Sequence, residues 1–106
     1  MHEWIILTSR MGEGFKHPDV STMQNVLTEL FSSKRDDEHP DCWLQCGSQE
    51  GPLYSINVFQ SGFAIYTKYS DVDMSEELES REINAPDVNA ALRLWEALIQ
   101  EHYSDL

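Results

Sequence analysis

The chain has 106 residues, with 19 acidic against 7 basic side chains and a formal charge of −12. That length fits one small domain with a thin core, because a chain this short buries only about 60–70% of its unfolded surface. At 41% hydrophobic and 10% aromatic it is a folding composition, while its charge disfavours nucleic acid and anionic membrane and suits a basic protein partner.

Trp4 to Thr8 is a short apolar run rich in Ile and Leu, closed by Met11-Gly12-Glu13-Gly14. It predicts a strand followed by a turn. After His17-Pro18-Asp19 the period changes, and Val20, Met23, Val26, Leu27, Leu30 and Phe31 follow helical spacing. Ser21 with Gln24 supplies a capping-box start, and the helix is expected to end near Ser32-Ser33. The charged stretch from Lys34 to Asp41, broken by Pro40, predicts an exposed loop.

A meander of three strands is expected next, over residues 42–46, 53–59 and 63–69, with Gln60-Ser61-Gly62 as a hairpin loop. Alternation assigns Cys42, Leu44, Cys46, Tyr54, Ile56, Val58, Phe63 and Ile65 to one face. The other face then carries Trp43, Gln45, Ser55, Asn57, Ala64, Tyr66 and Lys68. An acidic connection over 71–77 leads to an edge strand over 78–83. Pro86 fits a first helical turn, with Asp87 at its positive end, and Val88, Ala91, Leu92, Trp95, Leu98 and Ile99 form an amphipathic stripe. The expected class is α+β in the order β-α-β-β-β-β-α, an antiparallel sheet of four to five strands with two helices over one face, in a single domain of residues 1–106.

Residues 1–7 lack a basic region, and their apolar run is too short for a signal peptide. No apolar run approaches the roughly 18 residues of a membrane helix. With only Cys42 and Cys46, and no Asn-x-Ser/Thr acceptor, a reducing cytoplasmic setting is expected.

The motifs that invite chemistry are weak. His39-x-x-Cys42-x-x-x-Cys46 offers three donors, but an extended strand separates the two sulfurs by roughly 13 Å, too far for one zinc or a disulfide. Asp71 to Glu82 mimics a calcium loop, yet Glu76 stands where its turn requires glycine. Acidic surroundings would raise a cysteine pKa rather than activate it. No metal, cofactor or catalytic residue is expected.

Charge is uneven: residues 71–106 hold ten acids against two bases, a net −8. The acids gather as Asp36, Asp37, Glu38 and Asp41, and as Asp71, Asp73, Glu76, Glu77, Glu79 and Glu82. Beside them, Trp43 and Tyr66 are the expected aromatic anchors on the sheet face opposite the core.

The layout of Pro18-Asp19-x-Ser21, Pro40-Asp41-Cys42-Trp43-Leu44, Phe59-Gln-Ser-Gly62-Phe63 and Leu94-Trp95 resembles the small acidic immunity proteins that bacteria encode beside polymorphic toxins. These belong to contact-dependent inhibition, Rhs and type VI systems. The resemblance implies a non-enzymatic inhibitor that binds and occludes a cognate, basic, nuclease-like toxin domain, and a monomer or weak dimer is expected. It assigns no individual residue a role. Two rivals fit the same composition: an acidic secretion chaperone for an effector, and a nucleic-acid mimic.

Overall fold

Six strands join in one antiparallel sheet in a computed structural model that describes residues 3–34, 38, 40–49, 51–71, 73–102 and 106. In chain order the elements are β1 (Trp4–Thr8), β2 (Gly14–Lys16), α1 (Val20–Ser32), β3 (Asp41–Gly47), β4 (Leu53–Phe59), β5 (Phe63–Tyr69), β6 (Glu77–Asn84) and α2 (Val88–Ile99). Across the sheet the strands run β2-β1-β3-β4-β5-β6. The α+β class is as expected, with one strand more than the four to five foreseen. That strand is β2, whose three residues are too few for alternation to be legible. It forms because the turn before it is tightly tied: Ser9 Oγ accepts from the Met11 and Glu13 amides, and the Ser9 amide donates to the Glu13 carbonyl.

Both helices begin away from the expected point, α1 two residues earlier and α2 after Pro86. Asp19, not Ser21, caps α1, its carboxylate accepting from the Thr22 amide at 2.8 Å. Asp87 caps α2 in the same way through the Ala90 amide at 2.8 Å, so Pro86 precedes the cap rather than occupying the first turn. Each cap satisfies an amide that the first helical turn cannot bond internally. The far end of α1 is satisfied from outside. Gln60, in the loop between β4 and β5, directs Nε2 at the carbonyls of Leu30, Ser33 and Lys34, at 2.9, 2.7 and 3.1 Å.

The β4–β5 register decides which face each side chain of β5 joins. Phe59 pairs with Phe63, Val58 with Ala64 and Ile56 with Tyr66. Paired residues of a ladder point to the same side. Ala64 and Tyr66 therefore join Ile56 and Val58 on the helix side, and Phe63 and Ile65 face the other way. This corrects the expected arrangement, which had the two sets exchanged. The reason is the loop length: three residues, with Gly62 at φ +106°, join 59 to 63 and carry an odd-numbered position onto an odd-numbered partner.

The helices cover that side alone. Leu27 and Leu30 of α1, Trp95 and Leu98 of α2, and Leu7, Cys42, Leu44, Cys46, Ile56 and Val58 of the sheet are all fully buried in one core. The Trp95 indole spans the layers, Nε1 donating to the Ile56 carbonyl at 3.2 Å. At the sheet edge, Glu77 to Glu82 of β6 are exposed. Lys68 pairs with Glu79 and Tyr69 with Glu77, leaving Leu78 as an extra, bulged residue. Its charges and bulge blunt an edge that could otherwise pair with another chain. No helix among the described residues is long and apolar enough to cross a membrane.

Candidate functional site

The sheet face without helices has its own composition. Register carries one row across it through Thr8, Trp43, Asn57, Ile65 and Glu82, and a second through Trp4, Gly47, Leu53, Tyr69 and Glu77. Between them run Ile6, Gln45, Ser55, Thr67 and Ser80. Gly47 makes room for the Trp4 indole, since a Cβ there would lie 3.3 Å from Trp4 Cζ2 and only 2.8 Å from the Pro52 carbonyl. Leu53 beside it is buried although it lies outside the main core. Trp43, Ile65 and Tyr69 stay half-exposed.

At the centre is a depression of about 250 Å³ lined by Trp43, Gln45, Ser55, Asn57, Tyr69 and Met74. Ser55 is only 5% exposed and forms its floor. A directed hydrogen-bond chain leaves from that floor. Ser55 Oγ donates to Asn57 Oδ1 at 3.0 Å, and Asn57 Nδ2 donates to Asp41 Oδ2 at 3.1 Å. The chain ends on a carboxylate, which polarises both bonds toward Asp41.

The connection between β5 and β6 supplies the rim. Asp71 Oδ2 accepts from Ser75 Oγ at 2.7 Å, and Asp71 Oδ1 accepts from the Ser75 and Asp73 amides at 3.3 and 3.1 Å. These bonds, those from Ser75 above all, hold the Asp71 carboxyl below its ordinary value of 3.8. The folded loop sets Met74 in a left-handed conformation, φ +57°, with its side chain on the depression.

The expected site residues separate accordingly. Trp43 lies on the open face as expected, and Asp41 stands beside it, half-buried and bonded to Asn57. Tyr66 does not. It is 2% exposed on the helix side, its phenol pushed up to about 12 chiefly by burial. Tyr69 occupies the corresponding place on the open face, and the three-residue hairpin loop was the signal that could have found it. Asp71 serves its own loop, while Asp73, Glu76 and Glu77 are exposed around it. Glu38 is exposed, and Asp36 and Asp37 lie outside the described residues.

The thiols of Cys42 and Cys46 are buried, and burial raises both, Cys46 to about 12. Neither is a poised nucleophile. His39 lies outside the described residues. Among the described residues, no group of three or more His, Cys, Asp or Glu side chains could hold a metal ion. A larger depression of about 500 Å³ beside α2 mixes Arg93, Glu96, Gln100 and His102, and the buried residue lining it is the apolar Leu94.

No family model matches this chain, nor does any curated protein or solved structure.

Proposed function

We propose that this chain is a non-enzymatic binding protein of the cytoplasm that docks its open sheet face on a basic protein, in the manner of an immunity protein occluding a toxin domain. The observation that carries this reading is the aromatic composition of a face that no helix covers. Trp43, Ile65 and Tyr69 stand half-exposed there, with Asp41, Glu77 and Glu82 around them. A face that needed only to be solvated would alternate to polar residues. Large apolar side chains grouped on a surface and rimmed by charge mark an interaction site instead.

The division of labour follows from the physics of association. A charge of −12 draws a basic partner from a distance, and desolvated aromatics hold it after contact. The burial of both thiols supports a non-enzymatic role. The same negative charge opposes self-association and favours a monomer. It also opposes binding to nucleic acid or an anionic membrane.

The test pairs the purified chain with the C-terminal domain encoded by the gene immediately upstream. A one-to-one complex is expected, with an association rate that falls steeply as salt rises and a dissociation rate that changes less. Trp43→Ala should weaken it by about 2 kcal/mol or more. If that domain forms no complex, or if association ignores both salt and Trp43, the reading is overturned. A complex formed only by an unfolded effector segment would place the chain among secretion chaperones.

A further inference from the structure

We infer that the depression between Trp43 and Tyr69 receives an arginine side chain of the partner, an inference that rests on the docking face proposed above. Its walls are two aromatic rings and the thioether of Met74, and its polar groups are Gln45, Ser55 and Asn57. None of the six lining side chains is charged. An anion would find no cation there, and an apolar side chain would strand the Gln45 amide without water.

A guanidinium meets each of these groups. Its flat face stacks on an aromatic ring, and its edge carries N–H donors in a fixed fork. The hydrogen-bond chain is directed to receive them. Because Ser55 gives its proton to Asn57, and Asn57 gives an N–H to Asp41, Ser55 Oγ can meet a guest in the depression only as an acceptor. The negative end of that chain, at Asp41, adds attraction without entering the cavity. Lysine fits less well, since an ammonium is a strongly hydrated point charge that does not stack.

The molecule already uses this chemistry on its other face. The Arg81 guanidinium lies 5.1 Å from the centre of the Tyr66 ring, and Lys68 Nζ lies 5.7 Å from that of Tyr54. Among the described residues, the cations over aromatic rings lie on Tyr54 and Tyr66, not on Trp43 or Tyr69. The open-face rings are therefore left to a cation from another chain.

The experiment titrates the full-length protein with N-acetyl-arginine methylamide, followed by the side-chain N–H signals of Trp43, Gln45 and Asn57 in heteronuclear NMR. The citrulline analogue, of nearly the same shape but uncharged, serves as the control. Saturable shifts confined to those signals are expected, with the citrulline analogue about ten-fold weaker, as a desolvated cation–π contact implies. The lysine analogue should fall between them. Trp43→Leu keeps an apolar wall and removes the ring face, and should lose the arginine response. Should that variant misfold, Asp41→Asn, which lies outside the lining, should weaken arginine several-fold and leave citrulline unchanged. Equal binding of the arginine and citrulline analogues, shifts on the helix side, or no response up to roughly 100 mM, far above the millimolar affinity of a weak single-group ligand, would overturn the inference. The two proposals fail separately. A partner that docks on a Trp43-dependent face, while the arginine analogue binds nowhere, removes this inference alone. An arginine response without any complex removes the proposed function alone.

Discussion

The guanidinium of Arg81 caps the ring of Tyr66 from the helix side of the sheet, 5.1 Å from its centre. Arg81 also donates to the Leu106 carbonyl at 2.9 Å and pairs with Glu79 at 3.0 Å. A side chain from the exposed edge strand thus closes over a tyrosine that belongs to the core. Tyr69, three positions on, points to the opposite face.

Tyr66 and Tyr69 should therefore answer truncation in opposite ways. Tyr66→Ala empties a buried site and is expected to cost about 3 kcal/mol or more of folding stability. Tyr69→Ala should leave the denaturation midpoint nearly unchanged and weaken the complex with the partner. Denaturant melts beside binding titrations measure both. A Tyr69→Ala loss as large as that of Tyr66→Ala would make the open face a second core.

Alkaline pH should destabilise the protein in a defined window. The folded state raises Tyr66 from its ordinary 10.0 to about 12 and Cys46 from 9.0 to about 12, and raises Cys42 further, each chiefly by burial. Groups raised on folding contribute stability that is complete below their unfolded pKa and is lost as pH rises through the folded one. Thermal midpoints should hold below pH 9 and fall between 9 and 12. Tyr66→Phe should flatten the upper part of that fall. An identical slope in the variant would assign the whole effect to the thiols.

Acid should act through the two turn-forming carboxylates. The Thr22 amide lowers Asp19 and the Ser75 hydrogen bonds lower Asp71, both from 3.8. Their contribution is present above 3.8 and is lost as pH falls through the lower folded values. Asp19→Asn retains a good capping group without a titrating one. The variant should melt close to the parent at neutral pH and lose less on acidification. A steeper acid loss in Asp19→Asn would contradict the cap.

Gln60→Ala removes the group that meets three carbonyls at the end of α1. The expected cost is about 1–2 kcal/mol, the usual range for leaving partly buried acceptors unmet. Amide hydrogen exchange should accelerate in the last turn of α1 and remain slow in its first. Uniform acceleration along the helix would mean that Gln60 acts on global stability alone.

Much of this architecture was legible along the chain. Residues 4–8, 53–59 and 63–69 coincide with β1, β4 and β5, because apolar runs bounded by turn residues carry their own limits. The stripe from Val88 to Ile99 states the buried side of α2, since one helical turn repeats within a few residues. The charge of −12 and the aromatic side chains are likewise properties of the sequence, and the proposal of a basic protein partner starts from them.

Other features needed distant segments to meet. Alternation states that neighbours along β5 face opposite ways, but not which set turns inward, and the ladder to β4 decides it for Tyr66 and Tyr69 together. Gln60 reads locally as a turn residue and becomes a helix cap only when α1 lies beside the hairpin. Asp71 reads as one acid of a patch until Ser75 folds back on it. The depression exists only because β3, β4, β5 and the loop bearing Met74 converge, and its hydrogen-bond direction depends on Asp41 standing across a strand from Asn57. Composition and short-range periodicity are carried by covalent neighbours. Facing and enclosure are set by pairing and packing between residues far apart in the chain, which periodicity along a single strand does not encode.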